Sequence, residues 1–188
     1  MGYGIVPYAV DTKVLRQPHA FTVDPTGFFE WMSEVHLQDG GSEVDAQRDA
    51  LRELFFCQSH TGHGSGYGYA LEILCQRFGG RLNNEFWYPF GDSWLETVGA
   101  GLRSLGALFD PNVLLDTGAP VALPRIDDFP VIGHVLRPAL IRLTNELAGV
   151  NLSAVDKGVA GAIRNLGEWA RFCAAADEED FDLVCFYY

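Results

Sequence analysis

Asp182-Leu183-Val184-Cys185-Phe186-Tyr187-Tyr188 is a β-branched and aromatic run that follows an acidic stretch, and its reading decides the fold. Such a run is a strand by composition. An apolar strand left with an open edge pairs with other chains and aggregates, so it needs neighbours inside a sheet. Gly4-Ile5-Val6-Pro7-Tyr8-Ala9-Val10 reads the same way and has the same need, with Pro7 arguing for an edge or a bulge. The simplest arrangement puts both strands in one small sheet covered by helices. The expected fold is therefore a helix-rich α+β (or α/β) single domain over residues 1–188, its small sheet containing both the N-terminal and the C-terminal strand.

The helices lie between the two strands. Asp24 as N-cap and Pro25 at the first helical position open a short helix over 24–37, and Asp39-Gly40-Gly41 breaks it. Ser42 and Asp45 resemble a capping box, followed by a stripe of Val44, Leu51, Leu54 and Phe55. A further helix is expected from about Tyr67 to Phe78, stopped by Gly79-Gly80, then a strand or extended segment over 82–88. Ser93 and Glu96 form another capping box, for a helix to about Leu105. Residues 108–133 are turn-rich, with a short strand expected near 113–115, and His134 to Ala148 reads helical. Ser153 with Asp156 caps the clearest helix, where Val155, Val159, Ile163, Leu166, Trp169 and Cys173 recur every three or four residues.

Composition narrows the function. The 188 residues are 48% hydrophobic and 13% aromatic, which suits one globular domain with a sizeable core. There are 25 acidic and 13 basic residues, a net charge of −12. That sign repels phosphate backbones and anionic membranes, so neither nucleic acid nor membrane is an expected partner. Residues 1–53 carry nine acids and four bases, and residues 172–188 five acids and no base, whereas the middle is near neutral. If the end strands are neighbours, the acidity forms a localised patch. No run approaches the roughly 20 apolar residues of a membrane helix, and no basic n-region marks a signal peptide. Cys57, Cys75, Cys173 and Cys185 form no C-x-x-C pair and read as buried free thiols, so a reducing cytoplasm is expected.

Three segments carry candidate chemistry. His60-Thr61-Gly62-His63-Gly64-Ser65-Gly66 precedes a helix, where glycines and free amides let a ligand approach. It has no P-loop lysine, and the plainer reading is a flexible loop with Ser65 as a cap. His60 and His63 form an H-x-x-H pair, but no second ligand pair accompanies them, so no metal and no cofactor is assigned. Asn83-Asn84-Glu85-Phe86-Trp87-Tyr88 mixes amides, a carboxylate and aromatics, as recognition surfaces do, although Phe86 and Trp87 also suit a core. His60, His63, Glu72, Asn84, Glu85, Trp87 and Tyr88 are the candidate ligand-binding set. Asp177, Glu178, Glu179 and Asp180 are the candidate contacts for a basic protein partner, against the plainer reading of a solvated connection.

Taken together, Tyr3-Gly4-Ile5-Val6-Pro7-Tyr8-Ala9-Val10-Asp11, Gly66-Tyr67-Gly68-Tyr69-Ala70-Leu71-Glu72, Trp87-Tyr88-Pro89, Gly118-Ala119-Pro120-Val121 with Leu123-Pro124, and the run 182–188 make the chain similar to a family of actinobacterial proteins defined by a domain of unknown function. The resemblance covers nearly the whole chain. It implies one domain and a cytoplasmic bacterial origin, and it carries no catalytic residue. The expected role is a small acidic cytosolic binding or protein-interaction protein, immunity-like or regulatory. The alternative is an enzyme or small-ligand protein with its pocket near the glycine-rich loop 60–68 and segment 83–88.

Overall fold

β1 (Ile5–Val10) and β4 (Asp182–Tyr187) lie side by side at the centre of the sheet, antiparallel, from Ile5 opposite Tyr187 to Val10 opposite Asp182. β2 (Gly79–Arg81) pairs with the other side of β1, and β3 (Val131–Val135) with the other side of β4. The order is β2-β1-β4-β3 and every pairing is antiparallel, which makes the fold α+β. This computed structural model describes residues 3–37, 42–91, 93–175 and 180–188. The expected break at 39–41 lies outside them.

Pro7 sits in an interior strand, not at an edge. Its carbonyl accepts the Leu82 N–H at 2.9 Å, and Ile5 N–H donates to the Trp87 carbonyl at 2.7 Å. The backbone N–H and C=O groups of odd-numbered β1 residues therefore point towards β2 and the chain beyond it. β2 pairs only with Tyr8 to Val10, so the N–H that Pro7 lacks would have faced a position past the end of that ladder. Residues 82–88 are not a strand: they run along β1 as turns and irregular chain. The short strand instead falls on Gly79–Arg81, where the glycines let the chain pass directly from helix to sheet; a Cβ at Gly79 would strike the Ala9 carbonyl.

Both faces of the sheet are covered. Val6, Tyr8, Val10, Ile132, Val184 and Phe186 pack on one side with α1 (Thr12–Arg16), α2 (Pro25–His36), α3 (Ser42–Phe55) and α4 (Gly64–Phe78). Ile5, Ala9, Val135, Leu183 and Cys185 pack on the other with α5 (Trp94–Ser104), α6 (Val113–Asp116), α7 (Arg137–Glu146) and α8 (Lys157–Ala175). Alternate residues of β1 and β4 thus enter two different cores, and neither face of these central strands reaches water. This accounts for uninterrupted apolar strands where a half-exposed sheet would alternate with polar residues.

Several elements differ from expectation for local reasons. Residues 113–116 are the short helix α6, not a strand, and the strand is β3, reaching into the segment expected to be helical. Gly133 allows this, because a Cβ there would strike the Leu114 carbonyl of α6. α7 starts at Arg137, with Pro138 in its first turn. Asp156 caps α8, accepting the Gly158 N–H at 2.8 Å, while Ser153 lies in a separate 3₁₀ turn. Ser93 makes no side-chain cap bond to α5. α1 is held by Asp11, which accepts the Lys13 N–H at 2.9 Å. The buried Asp182 accepts from the Thr12 hydroxyl at 2.6 Å and the Arg137 N–H at 2.7 Å, joining α1, β4 and α7.

Candidate functional site

The glycine-rich stretch is tied down by one buried carboxylate. Glu53, on the inner face of α3, accepts from the Thr61 hydroxyl at 2.5 Å, from the Thr61 N–H at 2.9 Å and from the Tyr67 hydroxyl. The Tyr67 oxygen in turn accepts the N–H groups of Thr61 and Gly62, each at 2.9 Å. Burial pushes the Glu53 carboxyl up, but these hydrogen bonds and the His60 charge outweigh it, so its pKa lies below the usual carboxylate range. The glycines serve packing. α4 begins at Gly64, where a Cβ would collide with the Arg125 carbonyl, and a Cβ on Gly68 would come within 2.7 Å of Pro130. His63, not Ser65, occupies the cap position of α4, with no side-chain cap bond.

A second carboxylate holds the end of β4. Glu72 accepts from the Tyr8 hydroxyl at 2.9 Å and from the Tyr188 hydroxyl. Burial first, then the Glu72 charge and hydrogen bond, push both phenols well above the ordinary tyrosine range. Tyr69 lies one helical turn before Glu72 on the same face of α4. Its ring stacks on that of Tyr188, centroids 5.8 Å apart, yet remains 37% exposed. Two residues along a helix point in nearly opposite directions, so Tyr67 enters the core while Tyr69 faces out.

Tyr69 stands at a cleft of about 610 Å³ between α3 and the start of α4. Glu43, Gln47, Asp49, His63 and Ser65 contribute its polar lining. The Tyr69 phenol is pushed up by burial and then by the charges of Asp128, Glu43 and Glu72, so the ring sits in a negative field. Tyr69, Glu43, Asp49 and Asp128 were not singled out from the sequence. The Gly-Tyr-Gly-Tyr spacing, placed on a helix, is the signal that separates an inward from an outward tyrosine.

The candidate ligand set does not converge. His63 lines this cleft, whereas His60 leans on Tyr67, ring centroids 4.8 Å apart, and faces a different cavity of about 430 Å³ beside Cys57. Among the described residues no group of three or more His, Cys, Asp or Glu comes together as metal ligands do. Asn84, Glu85, Trp87 and Tyr88 lie away from the glycine-rich stretch. Trp87 is fully buried in the core on the opposite face of the sheet, donating to the Ala162 carbonyl at 3.3 Å. Asn84 donates to the Ile5 carbonyl at 2.7 Å, Glu85 is exposed, and Tyr88 packs over Gly4. The glycine-rich stretch leads into α4 on one face of the sheet, whereas Trp87 of segment 83–88 packs on the other.

Asp177, Glu178 and Glu179 lie outside the described residues. Asp180 pairs within the fold, with Lys13 at 2.6 Å and Arg137 at 3.2 Å. Of the four free cysteines, Cys75, Cys173 and Cys185 are buried, and Cys57 is exposed, correcting the uniform expectation. Burial pushes all four thiols up, Cys173 to about 12. No described helix is long and apolar enough to cross a membrane.

Comparison with curated proteins and with solved structures returned no match. A protein-family model described as a domain of unknown function, DUF7691, matches residues 1–188. The match spans the whole sequence, both halves of the sheet and both helical layers included, so the chain belongs to the DUF7691 family.

Proposed function

We propose that the chain is a binding protein that receives a cationic group of a basic partner in the cleft between α3 and α4. The observation that carries this reading is Tyr69, an accessible ring held against Tyr188 and surrounded by the negative field of Asp128, Glu43 and Glu72. A guanidinium or ammonium over such a ring gains about 0.5–2 kcal/mol, more as water leaves. Carboxylates in reach add charge-assisted hydrogen bonds. The Glu53 clamp supports the reading, because a wall fixed before binding adds little ordering cost. The net charge of −12 would speed the encounter with a basic partner.

The other titratable groups favour binding over catalysis. Glu53 and Glu72 are each engaged by two hydroxyl-bearing side chains of the fold, and the Cys75, Cys173 and Cys185 thiols are held protonated by burial. Calorimetry with arginine amide and the uncharged citrulline amide tests the reading. Arginine amide should bind about tenfold tighter than citrulline amide, with affinity falling as salt rises. Tyr69→Leu should weaken arginine amide by about threefold or more. Equal binding of the two compounds, unaffected by Tyr69→Leu, would overturn it.

A further inference from the structure

A second cavity is unrelated to this cleft. It holds about 770 Å³ on the far side of the sheet, at the outer edge of β3, between the chain at 108–110, Thr117 and α7. Its size lies within the range of small-molecule sites. Phe109, Val113, Val135, Ala139 and Leu143 form an apolar floor continuous with the core. Leu108 and Leu136 stand at its mouth, 87% and 52% exposed.

Most of the polar lining is committed to the fold. The Thr117 hydroxyl accepts the His134 N–H at 2.7 Å and lies 2.7 Å from the His134 carbonyl, so it closes the open edge of β3. His134 Nδ1 is 2.8 Å from the Gly118 carbonyl, which can only accept, so Nδ1 carries the hydrogen. Glu146 accepts the Leu108 N–H at 2.9 Å, and Asp110 accepts from the Asn112 N–H at 3.0 Å. Arg142 alone among the charged lining residues has no hydrogen bond or ion pair to a described residue.

We propose that this cavity binds an amphipathic carboxylate, its apolar body on the Phe109–Leu143 floor and its carboxylate on the Arg142 guanidinium. A planar guanidinium matches a carboxylate with two parallel hydrogen bonds, a geometry a neutral amide head cannot repay. The five apolar floor residues supply burial without specificity, and Arg142 supplies the choice of head group.

Titration of the full-length chain with octanoate and with octanamide, followed by calorimetry, tests this. Octanoate should bind about fivefold or more tightly than octanamide. Arg142→Gln should abolish that preference by weakening octanoate; Arg142 is exposed, so the fold tolerates the change. Equal affinities for both compounds in the wild type would overturn the head-group assignment. Absence of binding by either would overturn the cavity as an amphipath site. Neither outcome touches the Tyr69 cleft.

Discussion

The hydroxyl of Tyr67 donates to the buried carboxylate of Glu53, fourteen residues earlier in the chain, and that contact converts a glycine-rich loop into a fixed wall. Glu53→Gln leaves a poorer acceptor facing Thr61 and Tyr67 and should cost about 1–3 kcal/mol at neutral pH. The Glu53 pKa is depressed in the fold, so its contribution is present above the unfolded carboxylate range and is lost as pH falls through the folded value. Urea unfolding at descending pH should show the gap between wild type and Glu53→Gln narrowing below about pH 4. A gap independent of pH would mean that Glu53 is not ionised in the fold.

Tyr8 and Tyr188 behave in the opposite sense. Their folded pKa values are raised, so their protonated forms stabilise the fold fully below the unfolded tyrosine value and lose that effect as pH rises past it. Wild-type stability should decline above about pH 10, and Tyr8→Phe with Tyr188→Phe should flatten that decline. Alkaline unfolding followed by circular dichroism measures it. The same decline in the double variant would mean that Tyr8 and Tyr188 are not its cause.

Cys57 closes α3 in the left-handed conformation, φ +54°, where glycine is usual. The Gln58 N–H reaches the Glu53 carbonyl at 2.8 Å and the Cys57 N–H the Leu54 carbonyl at 3.3 Å, the Schellman pattern. Cys57→Gly should stabilise by about 0.5–1 kcal/mol, less the thiol's 3.1 Å hydrogen bond to the Arg16 carbonyl. Thiol titration provides an independent check: one cysteine of the four should react in the folded protein and all four after denaturation.

Two glycines test the packing of the layers. A Cβ on Gly133 would strike the Leu114 backbone, and one on Gly161 would enter the Phe86 ring. Gly133→Ala and Gly161→Ala should each cost about 1–3 kcal/mol in thermal unfolding. Gly80→Ala, with nothing within 4 Å of its added carbon, is the control and should be near neutral.

The legible parts of the fold are those with long patterns. β1, β4, α2 and α8 follow from apolar runs, the Asp24-Pro25 start and the Val159–Cys173 spacing. β2 was hidden because its three residues include two glycines, and β3 because Gly133 and His134 interrupt its apolar character between prolines. Composition located the loop 60–66, but not its purpose. Glu53 was missed because a carboxylate beside Leu51, Leu54 and Phe55 reads as surface until its partners arrive from Thr61 and Tyr67. Trp87 misled in the other direction: its aromatic neighbourhood suited recognition, while its ring completes the core beside Trp169 at 5.4 Å.

The central claim is that the Tyr69 cleft receives a cationic group, and chemical-shift mapping with arginine amide tests it most directly. Saturable shifts confined to Tyr69, Gly62, His63, Ser65 and the Glu43–Asp49 turns of α3, absent with citrulline amide, are the predicted result. Shifts spread over the acidic surface, or the same shifts with citrulline amide, would contradict it.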